Sequence, residues 1–265
     1  MQRRIIGMFD SGLGGLTALQ ELRRLCPSEN IIYFGDTGRM PYGAKTPEQL
    51  HTIVRQNLDF LKELGAEKII IACGTASVNA GEIIAEYDLP VVGVVEPAVE
   101  AMAAVEGDRP LCIAATAASI YSGVYERSLR EKGITRELVS VGCPDFVTLI
   151  ESGHTSARDP LVIAAVEKYL REAKEKKAAA VLLGCTHYGI IREAIENYLG
   201  PETAIISASE CVAKSVAREL APAEERGIGG VTYYTSGSPE LFAELSGSIF
   251  GIDAGNVIAV PAQEY

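Results

Sequence analysis

Short apolar runs alternate with longer stretches of helical periodicity along almost the whole chain, and this alternation constrains the fold more than any other feature. Strands joined through helices run parallel, and a parallel sheet needs cover on both faces, so the pattern predicts α/β layers. Residues 5–9, 30–34, 68–72 and 91–95 read as strands, with helices over 15–25, 47–64 and about 77–87 between them. Pro47 in the first turn and Gly65 past the end punctuate the second of these helices. After Glu96-Pro97 the pattern restarts: strands over 111–115, 137–141, 180–183 and 204–207 interleave with helices over 119–132, 145–151, 159–176, 188–199 and 209–220. The tail adds a strand over 231–235, a short helix from Pro239 and a last strand over 257–260.

The two halves look alike, since each has a first strand with a small-residue loop and a later strand that ends in cysteine. The expected fold class is therefore α/β with two pseudo-symmetric lobes, divided near Pro97 and again near Ser207, each a mostly parallel sheet flanked by helices. Ligands of open α/β sheets bind beyond the carboxyl ends of the strands, which places the expected site in the cleft between the lobes. Asp10, Asp36, Cys73, Thr116 and Cys185 all fall at such ends.

Two of those ends repeat one design. Ile69-Ile70-Ile71-Ala72-Cys73-Gly74-Thr75 and Val181-Leu182-Leu183-Gly184-Cys185-Thr186-His187 each run from an apolar strand into cysteine, threonine and a helix-like stretch. Backbone N–H groups at a helix start favour negative charge and lower thiol pKa values, so each corner suits a thiolate. His187 adds an acid or base two residues from the second thiol, whereas His51 and His154 have no such neighbour and read as surface residues. The remaining cysteines, Cys26, Cys112, Cys143 and Cys211, show no metal or redox spacing and read as buried, inert thiols. No metal site is expected.

Phe9-Asp10-Ser11-Gly12-Leu13-Gly14-Gly15 joins the first strand to the first helix. Its glycines let the backbone approach a ligand, with Asp10 and Ser11 aimed into the same space, or else Asp10 simply caps the helix. The spacing is neither a dinucleotide fingerprint nor a P-loop. Met40-Pro41-Tyr42-Gly43, in the long loop after the second strand, reads either as a lid that clamps a carboxylate or as a plain turn.

A net charge of −11 argues against nucleic-acid and anionic-membrane partners, and no apolar run approaches a membrane span. The start of the chain lacks a secretory pattern, so a cytoplasmic location is expected. Two opposed thiols suit inversion of a stereocentre that bears a C–H bond, one removing a proton as the other delivers one. No Schiff-base lysine motif or phosphate cup for pyridoxal phosphate is evident, and no cofactor is expected.

With these residues in view, the chain resembles the cofactor-independent glutamate racemases of the aspartate/glutamate racemase superfamily. The resemblance rests on residues 9–15, on Tyr33-Phe34-Gly35-Asp36, on Pro41-Tyr42-Gly43, on Ala72-Cys73-Gly74-Thr75-Ala76-Ser77 and on Gly184-Cys185-Thr186-His187-Tyr188. It implies interconversion of L- and D-glutamate for peptidoglycan, commonly by a homodimer. It also implies that the C-terminal segment returns to the first lobe, giving 1–97 plus 208–265 for the lobe of Cys73 and 98–207 for that of Cys185. By the resemblance Cys73 and Cys185 are the catalytic thiols, Asp10 assists the first, His187 assists the second, and Glu151 is an auxiliary acid. Ser11, Pro41, Tyr42, Gly43, Thr75, Thr116 and Thr186 match substrate contacts. Gly74 stands where the family usually has asparagine, leaving only its backbone N–H for substrate. Ala115-Thr116-Ala117-Ala118-Ser119 replaces a Gly-Thr-x-x-Thr run, and His187-Tyr188-Gly189 replaces His-Tyr-Pro. Three other readings stand beside this one. They are racemisation of aspartate or another acidic amino acid, a lyase or isomerase reaction using one cysteine, and binding of an acidic amino acid without turnover.

Overall fold

The computed structural model describes residues 4–220 and 227–262; the parts of the expected lobes on 1–3, 221–226 and 263–265 lie outside the described residues. The strands are β1 (Ile5–Asp10), β2 (Asn30–Gly35), β3 (Lys68–Ile71), β4 (Val91–Gly93), β5 (Leu111–Ala115), β6 (Leu138–Gly142), β7 (Ala180–Leu183), β8 (Ala204–Ser207), β9 (Val231–Thr235) and β10 (Val257–Ala259). They form two sheets, ordered β10-β9-β2-β1-β3-β4 and β6-β5-β7-β8. Every pairing is parallel. Continuous apolar runs such as Ile69-Ile70-Ile71 and Val181-Leu182-Leu183 become strands buried on both faces, as parallel sheets demand.

The helices are α1 (Leu16–Leu25), α2 (Pro47–Glu63), α3 (Gly74–Val78), α4 (Gly81–Ile84), α5 (Val95–Ala103), α6 (Ala117–Tyr121), α7 (Val124–Glu131), α8 (Pro144–Glu151), α9 (Pro160–Glu175), α10 (Arg192–Leu199), α11 (Ala208–Glu219) and α12 (Pro239–Phe250). One apolar core runs from Ile6 and Tyr33 of the first sheet, through Leu19, Val99 and Val212 of α1, α5 and α11, to Ile113 and Leu182 of the second. Separate cores fill the outer faces, under α2 on the first sheet and under α8, α9 and α10 on the second.

Three expected helices differ. The stretch 77–87 is divided into α3 and α4, because Asn79 at the end of α3 turns its side chain back to donate to the Thr75 carbonyl at 2.8 Å. The stretch 119–132 breaks between α6 and α7 at Gly123, whose φ of 66° is left-handed. The stretch 188–199 begins as a 3-10 turn, Thr186–Ile191, pinned by the buried Tyr188 hydroxyl donating to the Cys143 carbonyl at 2.8 Å. The sequence reading also missed α5, which contains the apparent restart at Glu96-Pro97. Pro97 lies in its first turn, where a missing N–H forfeits no helical bond.

A Cβ at Gly123 would meet only the mobile end of Arg127, so the cost of Gly123→Ala comes from the backbone. Urea titration is expected to show a loss of about 1–2 kcal/mol, and an unchanged midpoint would refute the strained-break account.

Candidate active site

Parallel register lines up the strand ends. Asp10 pairs with Gly35 and Phe9 with Ile71, which sets Asp10, Asp36 and Cys73 along one edge of the first sheet. Ala114 pairs with Leu183 in the second sheet, which does the same for Thr116 and Cys185. The two edges enclose a cavity of about 440 Å³, within the range of small-molecule sites. Its walls carry Ser11, Pro41, Tyr42, Gly43, Cys73, Gly74, Thr75, Thr116, Glu151, Cys185, Thr186 and His187. Asp10 is the one expected site residue off the wall; it lies beneath, 1 % exposed.

At the first corner the Cys73 thiol accepts a hydrogen bond from the Ala76 N–H at the start of α3, 3.5 Å away, and lies 3.5 Å from the Ser11 hydroxyl. The expectation of a lowered thiol pKa fails here. Burial, and then the charge of Asp10, outweigh those donors and push Cys73 up to about 12. Helix α3 is only five residues long, too short to offset so closed a site. Asp10 spans both lobes: its carboxylate accepts from the Gly12 N–H at 2.9 Å and from the Thr186 hydroxyl at 3.2 Å. Burial raises the Asp10 pKa, opposed by the His187 charge, the Gly12 and Gly15 N–H groups and the Thr186 hydroxyl.

The second corner is built differently. Cys185 is followed by the 3-10 turn, so no α-helix starts at this thiol. Its Sγ lies 3.8 Å from His187 Nδ1, and His187 Nε2 lies 3.1 Å from a Glu151 carboxylate oxygen at the end of α8. Burial drags the His187 pKa down. Hydrogen bonds to Cys185 and Glu151, with the charges of Cys185 and Asp10, more than reverse it and leave His187 raised to about 10. The His187 ring thus bridges the Cys185 sulfur and the Glu151 carboxylate.

Glycines permit the approach of the two corners. A Cβ on Gly14 would collide with the Thr186 hydroxyl and the His187 ring, and one on Gly74 would press on the Gly184 carbonyl of the opposite corner. Thr75 and Thr116 hydroxyls, one from each lobe, meet at 3.1 Å.

Gly12 and Met40 line the cavity as parts of the two loops read from the sequence, while Ala44, Ala117, Ala118, Cys143, Pro144, Val147 and Thr148 also line it and were not anticipated. For Thr148 a signal existed, since it sits three residues before Glu151 and shares its helix face. Cys143, expected to be inert, is fully buried, with its thiol pushed far up by burial. Cys112 is buried as expected, but Cys26 and Cys211 are only half-buried, because each lies on a helix or at a helix end facing partly outward. His51 and His154 are half-exposed and away from the cavity. Among the described residues no group of His, Cys, Asp and Glu is arranged to hold a metal ion, and no helix is long and apolar enough to cross a membrane.

Two parallel sheets whose thiol-bearing strand ends share one cavity define the class: a two-lobed α/β isomerase of the racemase type. A family model for Asp/Glu/hydantoin racemases matches residues 14–216, and the chain belongs to that family. It is 38% identical over 223 residues to a glutamate racemase of Koribacter versatilis, covering 83% of this chain and 75% of that protein. With a glutamate racemase of Desulforudis audaxviator it shares 30% identity over 262 residues, 95% of each chain. The structure of the Thermus thermophilus glutamate racemase in complex with β-chloro-D-alanine superposes with a TM-score of 0.86 at 36% identity, covering 98% of this chain and 97% of that one. That of Francisella tularensis glutamate racemase in complex with D-glutamate gives 0.87 at 30% identity, covering 98% of each. An aspartate racemase of Picrophilus torridus, at 17% identity and a TM-score of 0.60 over 82% of this chain and 94% of that one, shares the fold.

A histidine raised from 6.5 to about 10 stabilises the folded chain fully below pH 6.5, and that contribution disappears as pH climbs through 10. The stability difference between wild type and His187→Gln should therefore shrink across that window. Of the three histidine ring signals in the NMR spectrum, the one lost in His187→Gln should stay protonated until about pH 10. A midpoint near that of free imidazole would overturn the bridged-imidazolium account.

Proposed function

We propose that this chain interconverts L- and D-glutamate, with Cys73 and Cys185 as the two acid–base groups. The observation that carries the proposal is that both thiols line one cavity, each with its own titratable partner: Asp10 beneath Cys73, and His187 with Glu151 behind Cys185.

The α-proton of an amino acid is weakly acidic, so the carbanion-like transition state needs fixed dipoles and protonated groups around it. Ser11, Thr75, Thr116 and Thr186 hydroxyls, with the backbone N–H groups of Gly74 and of the Tyr42–Gly43 segment, serve that role for the substrate carboxylates and amine. In one direction the Cys185 sulfur, as thiolate beside the His187 imidazolium, takes the α-proton. The Cys73 thiol, held protonated by burial, gives its proton to the opposite face of Cα. One C–H bond breaks as another forms, both protons are accounted for, and the reverse direction exchanges the roles. Glu151 holds the His187 ring, and Asp10 opposes ionisation of Cys73 until substrate enters. The reaction proceeds without cofactor or metal.

The remaining parts of this reading follow from it. The described residues of 1–97 with 208–265 form the lobe of Cys73 and those of 98–207 that of Cys185; the sheet membership of β1–β4, β9 and β10 against β5–β8 supports that division. The enzyme works in the cytoplasm as a homodimer, supplies D-glutamate for peptidoglycan and, with a net charge of −11, engages no nucleic acid. The competing substrate is aspartate, raised by Gly74, where a position without a side chain leaves the site one polar contact poorer.

Incubation of L-glutamate with reduced enzyme in deuterated water should yield D-glutamate carrying deuterium at Cα, at a rate exceeding that on aspartate. Cys73→Ser and Cys185→Ser should each lower racemisation by about two orders of magnitude or more with the fold intact. Folded enzyme without α-exchange on glutamate defeats the proposal, and faster exchange on aspartate replaces the substrate. An adduct with an unsaturated diacid, seen by mass spectrometry, would favour single-cysteine chemistry.

A further inference from the structure

Asp36 stands at a strand end beside Asp10 and belongs to the Gly35-Asp36 motif, yet proton transfer at the cavity does not use it. It is fully buried and faces away from the cavity, into the loop that follows β2. Its carboxylate accepts from Arg39 Nε at 2.8 and 3.0 Å, from the Ser236 hydroxyl at 2.6 Å, and from the Tyr42 hydroxyl. Arg39 Nη2 in turn donates to the Asn57 side-chain oxygen at 2.6 Å, and Asn57 Nδ2 donates to the Tyr42 hydroxyl at 2.9 Å. The bonds close a ring: Arg39 to Asp36, Arg39 to Asn57, Asn57 to Tyr42, Tyr42 to Asp36.

The four ring members are buried, and with half-buried Ser236 the network joins four parts of the chain. Asp36 follows β2, Asn57 lies on α2, Ser236 follows β9 from the C-terminal segment, and Arg39 and Tyr42 are in the loop itself. Gly38 N–H donating to the Ser236 hydroxyl at 2.9 Å, and the Thr37–Thr235 hydroxyl pair at 2.7 Å, fasten the same loop to β9. That loop carries Met40, Pro41, Tyr42, Gly43 and Ala44, all on the cavity wall. It is built from two 3-10 turns, Thr37–Arg39 and Tyr42–Ala44. Such a segment holds a defined shape only through side-chain contacts.

We propose that Asp36, with Arg39, is a positioning residue that fixes the Pro41–Tyr42–Gly43 segment for binding of the substrate carboxylate. The inference rests on the reading of the cavity as an acidic amino-acid site. Arg39 suits the task because its planar fork reaches Asp36 and Asn57 at once, a geometry an ammonium does not reproduce. The ring touches no reacting atom, so its loss loosens substrate binding and leaves the thiols, Asp10, His187 and Glu151 in place.

Removing one charge alone would strand the other in the interior, so the main test variant removes both. Asp36→Asn/Arg39→Gln should raise KM for glutamate in the deuterium-exchange assay about tenfold or more, with kcat within about threefold of wild type. Calorimetric Kd for L-glutamate should weaken in parallel. Ser236→Ala, which removes the hydroxyl that donates to Asp36 and accepts from the Gly38 N–H outside the cavity, should shift KM and Kd in the same direction by a few-fold. A merely structural role would lower kcat through a smaller active fraction, or lower the melting temperature, with KM and Kd unmoved. That result, in whichever variant folds, overturns the proposal. Wild-type enzyme that binds glutamate without exchanging its α-proton defeats the racemase reading alone, since the Kd comparison still decides the role of Asp36. Wild-type enzyme that binds no acidic amino acid overturns both.

Discussion

The close approach of first-lobe backbone to the second lobe is the constraint on which the rest of the site depends. Gly14 lies against the Thr186 hydroxyl and the His187 ring, and Gly74 lies against the Gly184 carbonyl. At the spacing of this chain a Cβ at either position would collide, and the two contacts hold two strand–cysteine corners at one cavity. Asp10 then reaches the Thr186 hydroxyl, and Thr75 reaches Thr116. With wider spacing Asp10 would lose both the hydroxyl and the His187 charge that offset its burial, leaving a carboxylate paired only with backbone N–H groups.

That geometry makes two corners of similar sequence chemically unequal. Cys73 is shut in with a carboxylate beneath it and keeps its proton. Cys185 faces an imidazolium that Glu151 and Asp10 help to hold charged. Low local dielectric acts in both directions: it penalises the lone thiolate and strengthens the linked thiol–imidazole–carboxylate chain. The different settings of the two sulfurs follow from which neighbours each one meets.

Much of the fold was legible in the sequence because parallel strands buried on both faces must be continuous apolar runs. Strand positions such as 111–115 and 180–183 coincide with β5 and β7. The misread elements were those where a local signal competed with tertiary contact. Gly123 and Asn79 broke stretches of helical periodicity, Pro97 sat harmlessly in a first turn, and the buried Tyr188 hydroxyl held residues 186–191 in a tighter coil. In the site, glycine loops and cysteine corners stood out by their residue types. Val147 and Cys143 did not, because residues on α8 and just before it reach the cavity only through packing of that helix against the turn after Cys185.

By itself the sequence determined the layered α/β class, the two cysteine corners and the family, since each is a matter of residue type at fixed spacing. Tertiary structure alone decided what those corners become. The raised pKa of Cys73, the reach of Asp10 into the opposite lobe and the closed ring around Asp36 depend on residues as far apart as Asp10 and Thr186 or Asp36 and Ser236. Electrostatic environment depends on distance in space and on exclusion of water. The chain order of the residues encodes neither.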